Sequence, residues 1–105
     1  MVTELTILER LLLLSILPPA GDLVTNKIAR KLREELSFSE DELATYNIVV
    51  HEEGNVSWED MAYTKAIDLG AKAIETVVKA LEKLDKEGKV EEKHLALFDK
   101  FGVGD

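Results

Sequence analysis

Cysteine is absent from this 105-residue chain. That excludes disulfides, thiolate metal sites and a cysteine nucleophile, and it fits a reducing compartment. Histidine is scarce, with His51 and His94 alone, too few for a histidine-rich metal centre. Long hydrophobic runs are missing as well. The apolar stretch from Leu11 to Leu17 contains Ser15 and stops at Pro18-Pro19, far short of the ~20 residues that a membrane-spanning helix needs. Met1–Glu4 carries no basic leader, so the expectation is a cytoplasmic protein that makes no membrane contact. Basic residues are absent from 37–63, where seven acids stand without a lysine or arginine. Such a surface repels phosphate and disfavours nonspecific nucleic-acid binding. The acidity is concentrated there: residues 1–36 balance five acids with five bases, and residues 64–105 set nine acids against eight lysines, for a net charge of −8.

What is present is mostly helical pattern, in a length that suits one domain over 1–105. Leu5, Leu8, Leu11, Leu12, Ser15 and Ile16 share a broad face, and Ile7, Leu13, Leu14 and Leu17 extend its apolar surface, so a first helix must be buried on most sides. Thr3 is its expected cap, and Pro18 and Pro19 end it. Asp22 then caps a second helix over 22–36, with Val24, Ile28, Leu32 and Leu36 as its buried stripe. Ser39-Glu40-Asp41-Glu42 has the form of a capping box and starts a short helix to about Thr45. The β-branched and aromatic run from Tyr46, a turn near Gly54, and Val56-Ser57-Trp58 predict a β-hairpin near 46–58. So small a hairpin needs a helix to pack on, and Trp58 is the candidate anchor.

From Glu59 or Asp60 a long helix is expected to Lys86. Ile67, Gly70, Ile74, Val77, Leu81 and Leu84 recur at three- and four-residue spacing, as in a coiled-coil seam. Asp68–Lys72, Glu75–Lys79 and Glu82–Lys86 read as i,i+4 pairs on its exposed side. Glu87-Gly88-Lys89 breaks this helix. A last one over about Glu91–Phe101 presents Leu95 and Phe98, with His94 and Phe101 as further contacts, and Gly102–Asp105 frays. The fold expected is α+β and predominantly helical: a bundle of four or five helices with one small antiparallel hairpin.

Candidate sites are few. His51-Glu52-Glu53 lacks the second histidine of a helical zinc motif and reads as an exposed hairpin edge. Counting back from Gly88 as the sixth position of a calcium loop puts Lys83 where an acid is required. No glycine-rich phosphate loop, Ser/His/Asp order or framed pair of carboxylates occurs. The reading is therefore non-enzymatic, with no catalytic residue, no metal and no cofactor. The seam from Ile67 to Leu84 is the candidate self-association face, because an apolar face left over after folding marks an interaction site. It predicts a homo-oligomer, a two-fold dimer first, or else a protein partner. Lys27, Arg30, Lys31 and Arg33 on the second helix are the candidate nucleic-acid contacts of an alternative, a DNA-binding regulator. The base-free hairpin, standing where a wing would meet phosphate, argues against it. An acidic DNA mimic built on residues 37–63 is a second alternative.

The leucine run, the Ile16-Leu17-Pro18 stop and the helix from Val24 to Leu36, together with the tail from Leu81 through His94-Leu95 to Phe98 and Phe101, resemble small proteins encoded by bacteriophages and prophages. The likeness covers about half of the chain and rests on core and turn residues. It implies a genetic context and carries over no functional residue.

Overall fold

The computed structural model describes residues 2–18, 21–59 and 62–103. Its elements are β1 (Val2–Thr6), α1 (Ile7–Ile16), α2 (Leu23–Leu36), α3 (Glu40–Thr45), β2 (Val49–Val50), β3 (Val56–Ser57), β4 (Thr64–Asp68) and α4 (Ala71–Lys86), then a 3-10 turn (Glu92–His94) leading into α5 (Leu95–Phe101). The class is α+β and predominantly helical, as the patterning indicates. The hairpin lies where it is expected, with Val49 opposite Ser57 and Val50 opposite Val56.

The chain opens with a strand rather than a cap. Thr3 and Leu5 point inward while Val2 and Glu4 are exposed, the two-residue alternation of a half-buried strand. β1 pairs antiparallel with β4, Thr3 opposite Ile67 and Leu5 opposite Lys65. The cap of α1 is Thr6. Its hydroxyl accepts from the Glu9 amide at 3.1 Å, and the Glu9 carboxylate accepts from the Thr6 amide at 2.9 Å. This is a second capping box beside the one that Ser39 and Glu42 form at α3. Asp22 caps α2 through the Thr25 amide at 2.7 Å.

The expected long helix from Glu59 is corrected before Ala71, where α4 begins. The segment from Thr64 is β4, and Asp60 lies outside the described residues. Ile67 is therefore a strand residue and Gly70 the N-cap of α4, so the seam begins at Ile74. Ile67 and Leu69 alternate inward at strand spacing, and Ile67 falls in phase with the later helical stripe only by position.

The core gathers Leu5, Leu12, Leu13 and Leu17 with Leu32 and Leu36 of α2, Ile67 and Leu69, Val77 and Leu81 of α4, and Leu97 and Phe98 of α5. Three details of the pattern change. Val24 is exposed and Ala29 takes its place inside. Residues spaced by four advance about 40° beyond a full turn at each step, so over the three steps from Val24 to Leu36 the stripe drifts by about 120° and its first residue leaves the buried face. On α5, Leu95 is exposed and Leu97 is buried. Trp58 is only half-buried and stands outside the core cluster, so it does not anchor the hairpin as a core residue.

Helix ends repeat one device. After α3, α4 and α5 the chain turns through Asn47, Gly88 and Gly102, all with positive φ. In each case the next residue's amide reaches back five residues: Ile48 to Leu43, Lys89 to Leu84, and Val103 to Phe98. These are Schellman ends. Gly102 and Val103 are thus hydrogen-bonded rather than frayed, and residues 104–105 lie outside the described part.

Candidate interaction groove between α2 and α4

A polar knot fixes the C-terminal end of α2. Arg10 on α1 is fully buried. Its guanidinium donates to the carbonyls of Leu36 at 3.1 Å and Ser37 at 2.6 Å, and to both carboxylate oxygens of Glu42 at 2.6 and 3.2 Å. It also lies 4.1 Å over the Phe38 ring. Glu42 further accepts from the Ser39 amide and the Tyr63 hydroxyl, and Tyr63 stacks on Tyr46 with centroids 3.9 Å apart. The hydrogen bond from Arg10, joined by those from Ser39 and Tyr63, holds the Glu42 carboxyl down at about 2 against the opposing effect of burial. Burial, then the bond to Glu42, pushes the Tyr63 hydroxyl up. Every strong donor and acceptor in this knot is engaged from within, so it ties α1, α2, α3 and the approach to β4 together and offers a ligand little.

The opposite end of α2 is open. Ile16 and Pro18 at the end of α1, Val24, Thr25 and Ile28 on α2, and Thr76 and Ala80 on α4 line a cavity of about 360 Å³. Lys72, Lys79 and Lys83 rim it, with Glu75 as the single acid among its lining residues. A second cavity of about 320 Å³ shares Ile28 and Lys72 and continues along the same helix pair past Leu32 and Ala73 to Gly70. In this trough the first cavity has an aliphatic floor and a wall of lysines, whereas the second is lined by the acids Glu35 and Asp68 as well as by Lys31 and Lys72. Glu75 lies 3.0 Å from Lys79 and 3.9 Å from Lys72, and the bond from Lys79 lowers its carboxyl below the ordinary range. Lys83 makes no salt bridge among the described residues. At the mouth, Val24 is 63% exposed.

The structure places the other candidate residues as follows. Val77 and Leu81 of the seam are fully buried, Ile67 is 5% exposed, and Ile74 and Leu84 pack against the same core. The seam is covered by the chain's own α1, α2 and α5, so it does not supply a self-association face; Gly70 alone is exposed, at the end of the trough. Of the α2 bases, Lys27, Arg30 and Lys31 are exposed, Arg30 near Glu34 at 3.7 Å. Arg33 is half-buried and donates to the Pro18 carbonyl at 2.8 Å, so the four do not form one free basic face. His51 shares a 2.8 Å hydrogen bond with Ser57 across the hairpin. Lys83 and Gly88 sit in the last turn and the Schellman end of α4. Among the expected i,i+4 pairs only Glu75–Lys79 is a salt bridge of α4; Asp68 lies in β4. Among the described residues no cluster of three potential ligands is placed to hold a metal, and no helix is long and apolar enough to cross a membrane.

The trough was not visible in the sequence because its floor comes from three elements. One signal was there: Lys72, Lys79 and Lys83, spaced by seven and four, fall on one helical face. No family model, curated protein or solved structure matches the chain.

Proposed function

We propose that this chain is a non-enzymatic protein-interaction or assembly domain, with the trough between α2 and α4 as its binding face. The observation that carries the reading is the mismatch between the trough and the rest of the surface. In a chain of net charge −8, an aliphatic floor with exposed Val24 lies open beside a wall of three lysines. Apolar surface with a charged rim is the form of a protein-binding site. The matching partner is a peptide segment that carries apolar side chains flanked by carboxylates, because lysines steer acids and reject bases. A cytoplasmic setting and a phage or prophage origin belong to the same proposal, and rest on the cysteine-free composition and on the pattern of residues 8–36 and 81–101. The regulator alternative is weaker because Arg33 is engaged internally and Arg30 faces an acid.

The test is selection of a random peptide library on the immobilised protein. Enriched peptides should pair apolar residues with Asp and Glu. Their binding should fall with salt and be lost in the Lys79→Glu/Lys83→Glu double variant. Failure to enrich any peptide, or binding that survives that variant, overturns the reading.

A further inference from the structure

The sheet of β1 and β4 has one covered edge and one open edge. Glu4 stands opposite Ala66 in it, and Thr6 opposite Thr64. The Thr6 amide donates to the Glu9 carboxylate at 2.9 Å, and the Glu4 carbonyl accepts from Lys100 at 2.8 Å. The backbone groups of Glu4 and Thr6 therefore point away from β4. Opposite residues of an antiparallel ladder either exchange both backbone bonds or exchange none, in alternation. Glu4–Ala66 and Thr6–Thr64 are thus pairs without backbone bonds, and the N–H and C=O groups of Ala66 and Thr64 point away from β1. Neither residue has another hydrogen-bond partner among the described residues, and no strand but β1 is bonded to β4 there. Both residues are exposed. Lys100 and Glu9 cover the edge of β1, whereas the edge of β4 presents unpaired backbone groups, a template for a further strand.

We infer that this chain forms a two-fold dimer in which the β4 strands of two copies pair antiparallel along that edge. The occupant is a second copy because the edge is complementary to itself. Its outward backbone groups fall on alternate residues, so only registers that set these residues against one another make bonds. With Ala66 opposite Ala66 of the copy, the two exchange both bonds on the axis, and Thr64 stands opposite Asp68. On the other face of the sheet Lys65 then stands opposite Ile67, so no like charges meet. An axis through Lys65 instead would oppose two lysines, which is unfavourable. The pairing turns two strands of five residues into a four-stranded sheet in the order β1-β4-β4-β1, where a lone pair of strands is marginal. Because the β1 edge is covered, association ends at the dimer. The contact uses none of the trough lysines and stands apart from the groove.

The test is sedimentation velocity over a concentration series at low salt. The wild type should reach twice the 11.7 kDa chain mass and go no further. Ala66→Pro removes the outward N–H without breaking a bond to β1, at a position where an edge strand tolerates proline, and should be monomeric. Ala66→Glu and Ala66→Lys change only an exposed side chain. Each sets like charges against each other on the axis and should raise the dissociation constant several-fold, and mixing the two should give a heterodimer tighter than either homodimer. Lys79→Glu/Lys83→Glu should dimerise as the wild type does. A wild type that stays monomeric, growth beyond the dimer, or a dimer indifferent to Ala66→Pro and Ala66→Glu overturns the inference. If Ala66→Pro loses the wild-type circular dichroism, the charge variants decide, and a mixed pair no tighter than the two homodimers overturns it. A dimer lost in Lys79→Glu/Lys83→Glu but kept in Ala66→Glu puts the contact in the trough and also overturns it, while a monomeric wild type that still binds selected acidic peptides leaves the groove reading standing.

Discussion

Arg10 shows how one side chain sets the terms for its neighbours. It is fully buried and charged, which is tolerable because two carbonyls and both oxygens of Glu42 surround it. Removing one partner is far worse than removing both. Glu42→Ala should cost roughly 3–5 kcal/mol, since it leaves the guanidinium shielded and uncompensated, while Arg10→Met combined with Glu42→Leu should cost less than that single change. Urea unfolding of the three proteins checks the order. The same carboxyl gives the protein an acid limb. Its folded value, about 2, lies below the ordinary 4.5, so its contribution is complete above about pH 5 and is lost as the pH falls toward 2. That contribution is at most about 3 kcal/mol. Glu42→Gln should flatten the fall in stability between pH 5 and pH 2 by up to that amount, and an unchanged pH profile would show that other carboxylates dominate. Thr3 presents the opposite case. Its hydroxyl is buried in β1 with no hydrogen-bond partner. Thr3→Val keeps the shape, removes the unsatisfied group and suits a strand. It should raise stability by up to about 1 kcal/mol, seen as a higher melting temperature.

Among the elements, the helix ends were the most legible part of the sequence and the first strand pair the least. Asp22, the Ser39–Glu42 capping box and the Gly88 break act within a few residues of themselves, so local chemistry decides them. β1 and β4 are far apart in the sequence, at Val2–Thr6 and Thr64–Asp68, and they pair only with each other. A local window therefore assigned Thr3 to a cap and Ile67 to a helix. The trough shares that difficulty, because α1, α2 and α4 each supply only part of it. The Schellman ends yield a prediction at this scale. Gly88 and Gly102 hold φ of 69° and 67°, and a Cβ at either would meet nothing within 4 Å. The cost of alanine there is backbone strain alone, about 1–2 kcal/mol at each site. Asn47, at φ 49°, already bears part of such strain, so Asn47→Gly should be neutral or slightly stabilising. Melting curves of the three variants separate these outcomes. Equal losses at all three would mean that the Asn47 side chain, not the turn, matters there.

Across the whole molecule, stability is unevenly distributed, and the distribution bears on assembly. The core joins β1, α1, α2, β4, α4 and α5, and Lys100 of α5 clips back to Glu9 at 2.6 Å and to the Glu4 carbonyl at 2.8 Å. The hairpin has two-residue strands, contributes no residue to that core cluster, and is held at its base by the bond from the Glu59 amide to the Tyr46 carbonyl at 2.8 Å. So short a ladder with exposed valines opens locally at small cost, whereas amides inside α1 and α4 open only when the core does. Native-state hydrogen exchange should therefore resolve two classes. Amides such as Leu13 and Leu81 should exchange with a steep dependence on denaturant, as global unfolding requires. Those of Val50 and His51 should exchange orders of magnitude faster and almost independently of it. If the hairpin amides instead join the steep class, the Tyr46–Tyr63 stack and the Glu59–Tyr46 bond make the hairpin part of the cooperative unit. The exposed valines of β2 would then belong to a rigid surface rather than to one that must order on contact.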